Sequence, residues 1–115
     1  MTGSAYALSL TVPSDGFAVT AGEPVIGGLH GATRHHHCSH CLSWVFTRPD
    51  GMAFVNLRAP MLDDALWFAP FVEVWTSQKL PFAETGAPHS YAGETPHEDY
   101  PSLIAAYQTS GARPA

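Results

Sequence analysis

Charge is scarce in this chain of 115 residues: only 13% of positions are Asp, Glu, Lys or Arg. The five basic residues, Arg34, Arg48, Arg58, Lys79 and Arg113, form no cluster, and the formal net charge is −5. That balance argues against a nucleic-acid surface, which needs a basic patch. No apolar run approaches the roughly 18 residues of a membrane span. The opening Met1-Thr2-Gly3-Ser4-Ala5-Tyr6 has neither the basic start nor the apolar stretch of a signal peptide. Cysteine occurs only twice, too few and too close together for a disulfide framework. A Ser-His-Asp arrangement, a phosphate-cradling glycine loop and a dinucleotide fingerprint are also missing, and Gly27-Gly28 has no second half of such a motif. These lacks lead to the expectation of a cytoplasmic protein with neither a nucleic-acid nor a membrane partner.

What is present is a globular composition, 45% hydrophobic. The length suits one domain over residues 1–115, burying roughly two-thirds of the unfolded surface. Residues 6–12 alternate apolar with small or polar side chains, the period of a half-buried strand. Pro13-Ser14-Asp15-Gly16 is a turn, and residues 17–20 restart an extended run. Residues 25–30 are apolar but carry Gly27 and Gly28, which predicts a bulge or a close backbone approach. Strands are predicted at 33–38 and 43–47, and Arg48-Pro49-Asp50-Gly51 is a turn leading into another at 52–58. Residues 68–75 form a further extended apolar segment, and 80–96 a long loop. A single helical turn is predicted at 63–67, and a C-terminal helix at 99–108 from its acidic start, early proline and apolar spacing. The fold class expected is mainly β, largely antiparallel, with a short C-terminal helix.

The two cysteines are Cys38 and Cys41, in Arg34-His35-His36-His37-Cys38-Ser39-His40-Cys41-Leu42-Ser43-Trp44. Two thiolates on a tight turn can clamp one zinc ion, and Cys-x-x-Cys beside histidines has the form of half a zinc knuckle. A structural zinc needs four ligands. On a strand, His36 and Cys38 share one face while His35 and His37 share the other. His36 or His40 is therefore a candidate third ligand, with water or a second chain as the fourth; the alternative is that these histidines are ordinary surface residues. A redox role for the pair is disfavoured, because Leu42-Ser43-Trp44-Val45-Phe46-Thr47 has a strand pattern and a thioredoxin-type motif opens a helix.

Other candidates favour structural roles. Asp63 and Asp64 have the chemistry of an acid–base pair, but their place before Ala65-Leu66-Trp67 suits a helix cap or turn. Trp67, Phe68, Phe71, Trp75 and Phe82 could line an apolar pocket, although a core role fits a small β domain better. Lys79 is either a cation for a carboxylate ligand or a solvated surface residue.

Several segments in order resemble the glutathione-dependent formaldehyde-activating enzyme family, which shares its domain with centromere protein V. They are Thr2-Gly3-Ser4-Ala5-Tyr6, Phe17-Ala18-Val19-Thr20-Ala21-Gly22-Glu23, the knuckle from Arg34 to Ser43, Met61-Leu62-Asp63-Asp64, and Glu73-Val74-Trp75-Thr76-Ser77-Gln78-Lys79-Leu80-Pro81-Phe82. The resemblance implies a zinc-stapled Mss4-like antiparallel β fold and a carbon–sulfur lyase acting on a thiol–aldehyde adduct, with glutathione as the typical thiol and formaldehyde as the aldehyde. It implies zinc as cofactor, with Cys38 and Cys41 as metal ligands. Relatives carry an upstream Cys-x-Cys that completes this structural zinc, and a Cys-x-Cys-x-x-Cys cluster for a second zinc linked to the chemistry. Neither occurs in this sequence, so the expectation is a domain truncated at its N-terminus, with no catalytic residue to name. A second departure is Leu42, where the knuckle of relatives usually has glycine. The alternative expectation is a non-catalytic zinc-binding or self-associating module on the same fold, with a homodimer as the partner arrangement.

Overall fold

The computed structural model describes residues 3–115, with the backbone alone at 28–30. Thr2, which opens the first resembling segment, lies outside the described residues. The chain divides into two compact units, Ala7–Asp63 and Asp64–Ala115 together with residues 3–6. Mainly antiparallel β structure with one short C-terminal helix is the observed architecture. No helix among the described residues is long and apolar enough to cross a membrane.

The first unit is a five-stranded antiparallel sheet in the order β1-β5-β4-β3-β2. Its strands are β1 (Ser9–Pro13), β2 (Val25–His30), β3 (Thr33–His37), β4 (Trp44–Arg48) and β5 (Phe54–Arg58). In β1 the alternation continues into solvent exposure: Leu10 and Val12 are half-buried, and Ser9, Thr11 and Pro13 are exposed. Two adjacent rows of the register run across all five strands. Leu10, Leu57, Phe46, His36 and Ile26 form one; Thr11, Asn56, Thr47, His35 and Gly27 form the other. Successive residues of a strand face opposite ways, so one row is apolar and the other polar on opposite faces. Val55 is fully buried beside the apolar row, and with Phe46 forms the centre of the core. Each such side chain contributes about 1.5–3 kcal/mol relative to exposure.

The polar row is buried at its centre, at His35 and Thr47, and its side chains are paired. His35 Nδ1 lies 2.8 Å from Thr47 Oγ1, and Trp44 Nε1–H donates to the same oxygen at 2.9 Å. Thr11 Oγ1–H donates to Asn56 Oδ1 at 2.7 Å. Arg58 stacks its guanidinium over the Trp44 ring, 4.2 Å from the centroid. The expectation at the Gly27-Gly28 pair holds: the β2–β3 register shifts between Gly27 and His30, and a β-carbon at Gly27 would stand 3.2 Å from the His37 ring.

Residues 17–20 join no sheet, although Phe17 has the extended backbone expected there, with φ −124° and ψ 132°. Phe17 is held by its side chain instead, its ring 4.9 Å from that of Phe46 with Arg48 over both. A 3-10 turn forms at Ala59–Met61, directly after β5.

In the second unit, the extended segment expected at 68–75 shrinks to β6 (Val72–Glu73), which pairs in parallel with β7 (His89–Ser90). At its C-terminal end Trp75, whose φ of 58° lies in the left-handed region, stops the extended run. Residues 75–77 then donate their amides to the carbonyls of Gly93, Tyr91 and Ala92. The helical turn expected at 63–67 is likewise absent; Asp64 Oδ1 accepts the Leu66 amide at 3.1 Å, a local turn that competes with a helix. The turn role foreseen for this aspartate is the one observed. Helix α1 (Tyr100–Ser110) follows a 3-10 turn at His97–Asp99, with Pro101 in its first turn and Leu103 buried. Tyr91 O–H donates to Asp99 at 2.9 Å, and Tyr107 packs edge-on against Phe71 at 5.2 Å.

Candidate metal centre

Cys38 follows the last residue of β3, and Trp44 opens β4, so the six residues from Cys38 to Ser43 must reverse the chain between paired strands. Two backbone bonds close this loop. The Cys38 amide donates to the Ser43 carbonyl at 2.9 Å, and the Leu42 amide donates to the Cys38 carbonyl at 2.8 Å. Closing both over so short a loop requires one residue with positive φ, and that residue is Leu42, at 60°. Left-handed backbone suits glycine and costs a branched L-residue steric strain. The leucine that departs from the knuckle pattern therefore sits at the one loop position where glycine has a conformational reason to be.

The loop brings the two thiols together. The Cys41 thiol donates to Ser43 Oγ at 3.3 Å, and the Cys38 thiol lies beside it. The Cys41 pKa falls below the ordinary thiol value, chiefly because the Ser43 hydroxyl can turn and donate to the thiolate. The Ser43 backbone and the Cys38 thiol add to the effect, and slight burial opposes it. Hydrogen-bond donors that favour the charged form are what a metal-binding thiolate needs. Both cysteines are free, Cys38 half-buried and Cys41 exposed.

His35, His36 and His37 pack within the sheet, and His40 alone of the four stays on the loop. His35 is committed to Thr47 and meets the Trp44 ring edge-on at 4.7 Å. His36 lies flat on Phe46, ring centroids 4.4 Å apart, with both ring nitrogens buried and unpartnered. Desolvation first, then the charges of Arg48 and Arg34, depresses its pKa and keeps it neutral. His37 packs on Gly27, with Nδ1 3.3 Å from the His35 carbonyl, and His40 is exposed on the loop. A register shift between His36 and His37 interrupts the simple alternation on which a shared His36–Cys38 face depended. Among the described residues, no three His, Cys, Asp or Glu side chains gather as a metal-binding group.

Tested against what zinc requires, the residues fit half a site. Two soft thiolate donors stand on one closed loop with a supporting hydroxyl, and the other two ligands are not assembled beside them. Ser43 is the neighbour of the thiols that sequence reasoning missed; only its adjacency to the motif could have drawn attention to it.

The remaining candidates belong to the second unit. Trp67 and Phe68 meet edge-on at 6.1 Å, and Phe71 packs with His89 and Tyr107. Trp75 and Phe82 are exposed, so they join neither a pocket nor the core foreseen for them. Lys79 is exposed, and its charge helps to lower the pKa of Glu73, whose carboxylate accepts mainly from Ser90 and then Thr85. Comparison with protein-family models, curated proteins and solved structures gave no match.

Proposed function

We propose that Cys38 and Cys41 are zinc ligands, and that the chain is a domain of the Mss4-like kind related to the glutathione-dependent formaldehyde-activating carbon–sulfur lyases. The observation that carries the zinc reading is the loop geometry. Two backbone bonds and a left-handed residue close a six-residue turn that sets two thiols side by side, one of them supported by a hydroxyl. The resemblance in ordered segments carries the lyase reading.

In the proposed reaction a thiol sulfur bonds to the aldehyde carbon and the thiol proton passes to the carbonyl oxygen; cleavage reverses both changes. A bound zinc supplies Lewis acidity, favouring the thiolate or polarising the adduct oxygen. The residues of this chain that would hold the ion are Cys38 and Cys41 as thiolates, with Ser43 as donor to Cys41 and the paired β3 and β4 as their base. In the resembling family this pair belongs to the structural zinc, so no catalytic group is assigned here. The donor set favours a second reading, a non-catalytic zinc-binding module, since two thiols alone leave the ion half-ligated.

Metal analysis of the purified chain, with and without Cys38→Ser, tests the zinc reading; uptake that survives the substitution refutes it. Exchange between glutathione and formaldehyde, followed by NMR with the zinc-loaded chain, tests the lyase. Acceleration over the protein-free rate supports it, and an unchanged rate in a zinc-loaded chain leaves the non-catalytic module.

A further inference from the structure

The half-site has a feature that identifies what completes it. The sequence holds two cysteines in all, and no third donor stands beside them among the described residues. Yet the pair is not sunk in the fold: Cys41 is exposed, and Leu42 next to it is 67% exposed. A leucine at the tip of a polar loop, in a strained conformation, has little to gain from water. Edge strand β2 runs alongside, with Val25 opposite His37, the residue before Cys38. Val25 and Ile26 are 41% and 46% exposed. Leu42, next to Cys41, and Val25, opposite the residue before Cys38, thus bring exposed apolar side chains to the neighbourhood of the thiols, on and beside an edge strand. The knuckle loop itself, Cys38-Ser39-His40-Cys41-Leu42-Ser43, carries no carboxylate to repel a like surface.

Building on the zinc reading, we infer that this knuckle is one half of a metal site shared with a second copy of the chain, so that zinc binding and dimerisation are one event. A two-fold axis presents the same patch twice. Two thiols from each copy make four, the number a tetrahedral structural zinc requires. Four thiols release their protons as the ion binds, and the rim leucines and edge-strand side chains leave water at the same step. The inference commits this surface to one occupant, its own symmetry mate, because that occupant brings two thiolates held in the same loop geometry.

The test is titration of the reduced, metal-free full chain with Zn²⁺, and in parallel with Co²⁺, read by native mass spectrometry and the cobalt–thiolate charge-transfer band. The expected result is saturation at one ion per two chains, with mass doubling in step and a chelator restoring the monomer. Cys41→Ser should abolish both uptake and doubling. Leu42→Asp, which keeps both thiols in a residue tolerant of left-handed backbone, should weaken dimerisation at least tenfold while circular dichroism stays unchanged. One zinc per chain on a monomer overturns the shared site and leaves the zinc reading standing. Failure to take up either metal removes both. A dimer that persists without metal, or in Cys41→Ser, overturns the coupling.

Discussion

Replacing Leu42 separates backbone strain from side-chain contact at the knuckle. Its φ of 60° costs an L-residue about 1–2 kcal/mol, a penalty that glycine does not bear. Glycine in turn gives up about 0.5–1 kcal/mol through the greater freedom of its unfolded chain. Leu42→Ala and Leu42→Gly both remove the same mostly exposed side chain, so their difference isolates the backbone. The balance favours glycine by about 0.5–1 kcal/mol. At an ordinary surface position in regular structure the order is reversed, alanine being the more stable. Urea denaturation of both variants, at equal slope, measures the difference directly. For a chain of this size the glycine variant should melt about 2–5 °C above the alanine variant. Alanine equal to or above glycine would refute the claim that this position holds a left-handed residue, and with it the loop geometry that the metal site rests on.

Three further perturbations test the sheet and the second unit. Thr47→Val deletes the hydroxyl that serves both His35 and Trp44, and should cost about 2–4 kcal/mol in urea unfolding; a loss under about 0.5 kcal/mol would show that the pairing contributes little. Val55→Ala removes two methyl groups from the fully buried centre and should cost about 2 kcal/mol, more if the cavity stays open, so a near-neutral result contradicts the core placement. Glu73 has a lowered pKa, chiefly from the hydroxyl of Ser90 and then that of Thr85. A carboxylate depressed in the folded state contributes stability above its unfolded pKa, and that contribution is lost as pH falls through the folded value. Glu73→Gln should therefore be less stable than the parent at neutral pH and converge with it in acid; a gap that is unchanged across the acidic range sinks the assignment.

Much of the sheet was legible because its signals are local. The strands at 33–37, 44–48 and 54–58 were placed within one or two residues from the apolar runs around the knuckle and from the Arg48-Pro49-Asp50-Gly51 turn. The C-terminal helix was legible from its proline and apolar spacing, and the Gly27 contact from a glycine out of place in a strand. The errors lie where one backbone angle or one distant partner decides. Residues 17–20 look like a strand, but Phe17 has an aromatic partner instead of a ladder. Residues 68–75 look extended until Trp75 turns left-handed.

For the candidate site, the sequence by itself determined the donor set: two thiols, a Cys-x-x-Cys spacing and a misplaced leucine, since ligand chemistry and count are properties of composition. Only tertiary structure decided which neighbours face those thiols. The interrupted β3–β4 register, the Phe46 ring under His36 and the Thr47 hydroxyl on His35 take the histidines away from the knuckle. The Ser43 hydroxyl is left as support for Cys41. Where a side chain goes is set by its partners across strands, and those partners are far apart along the chain.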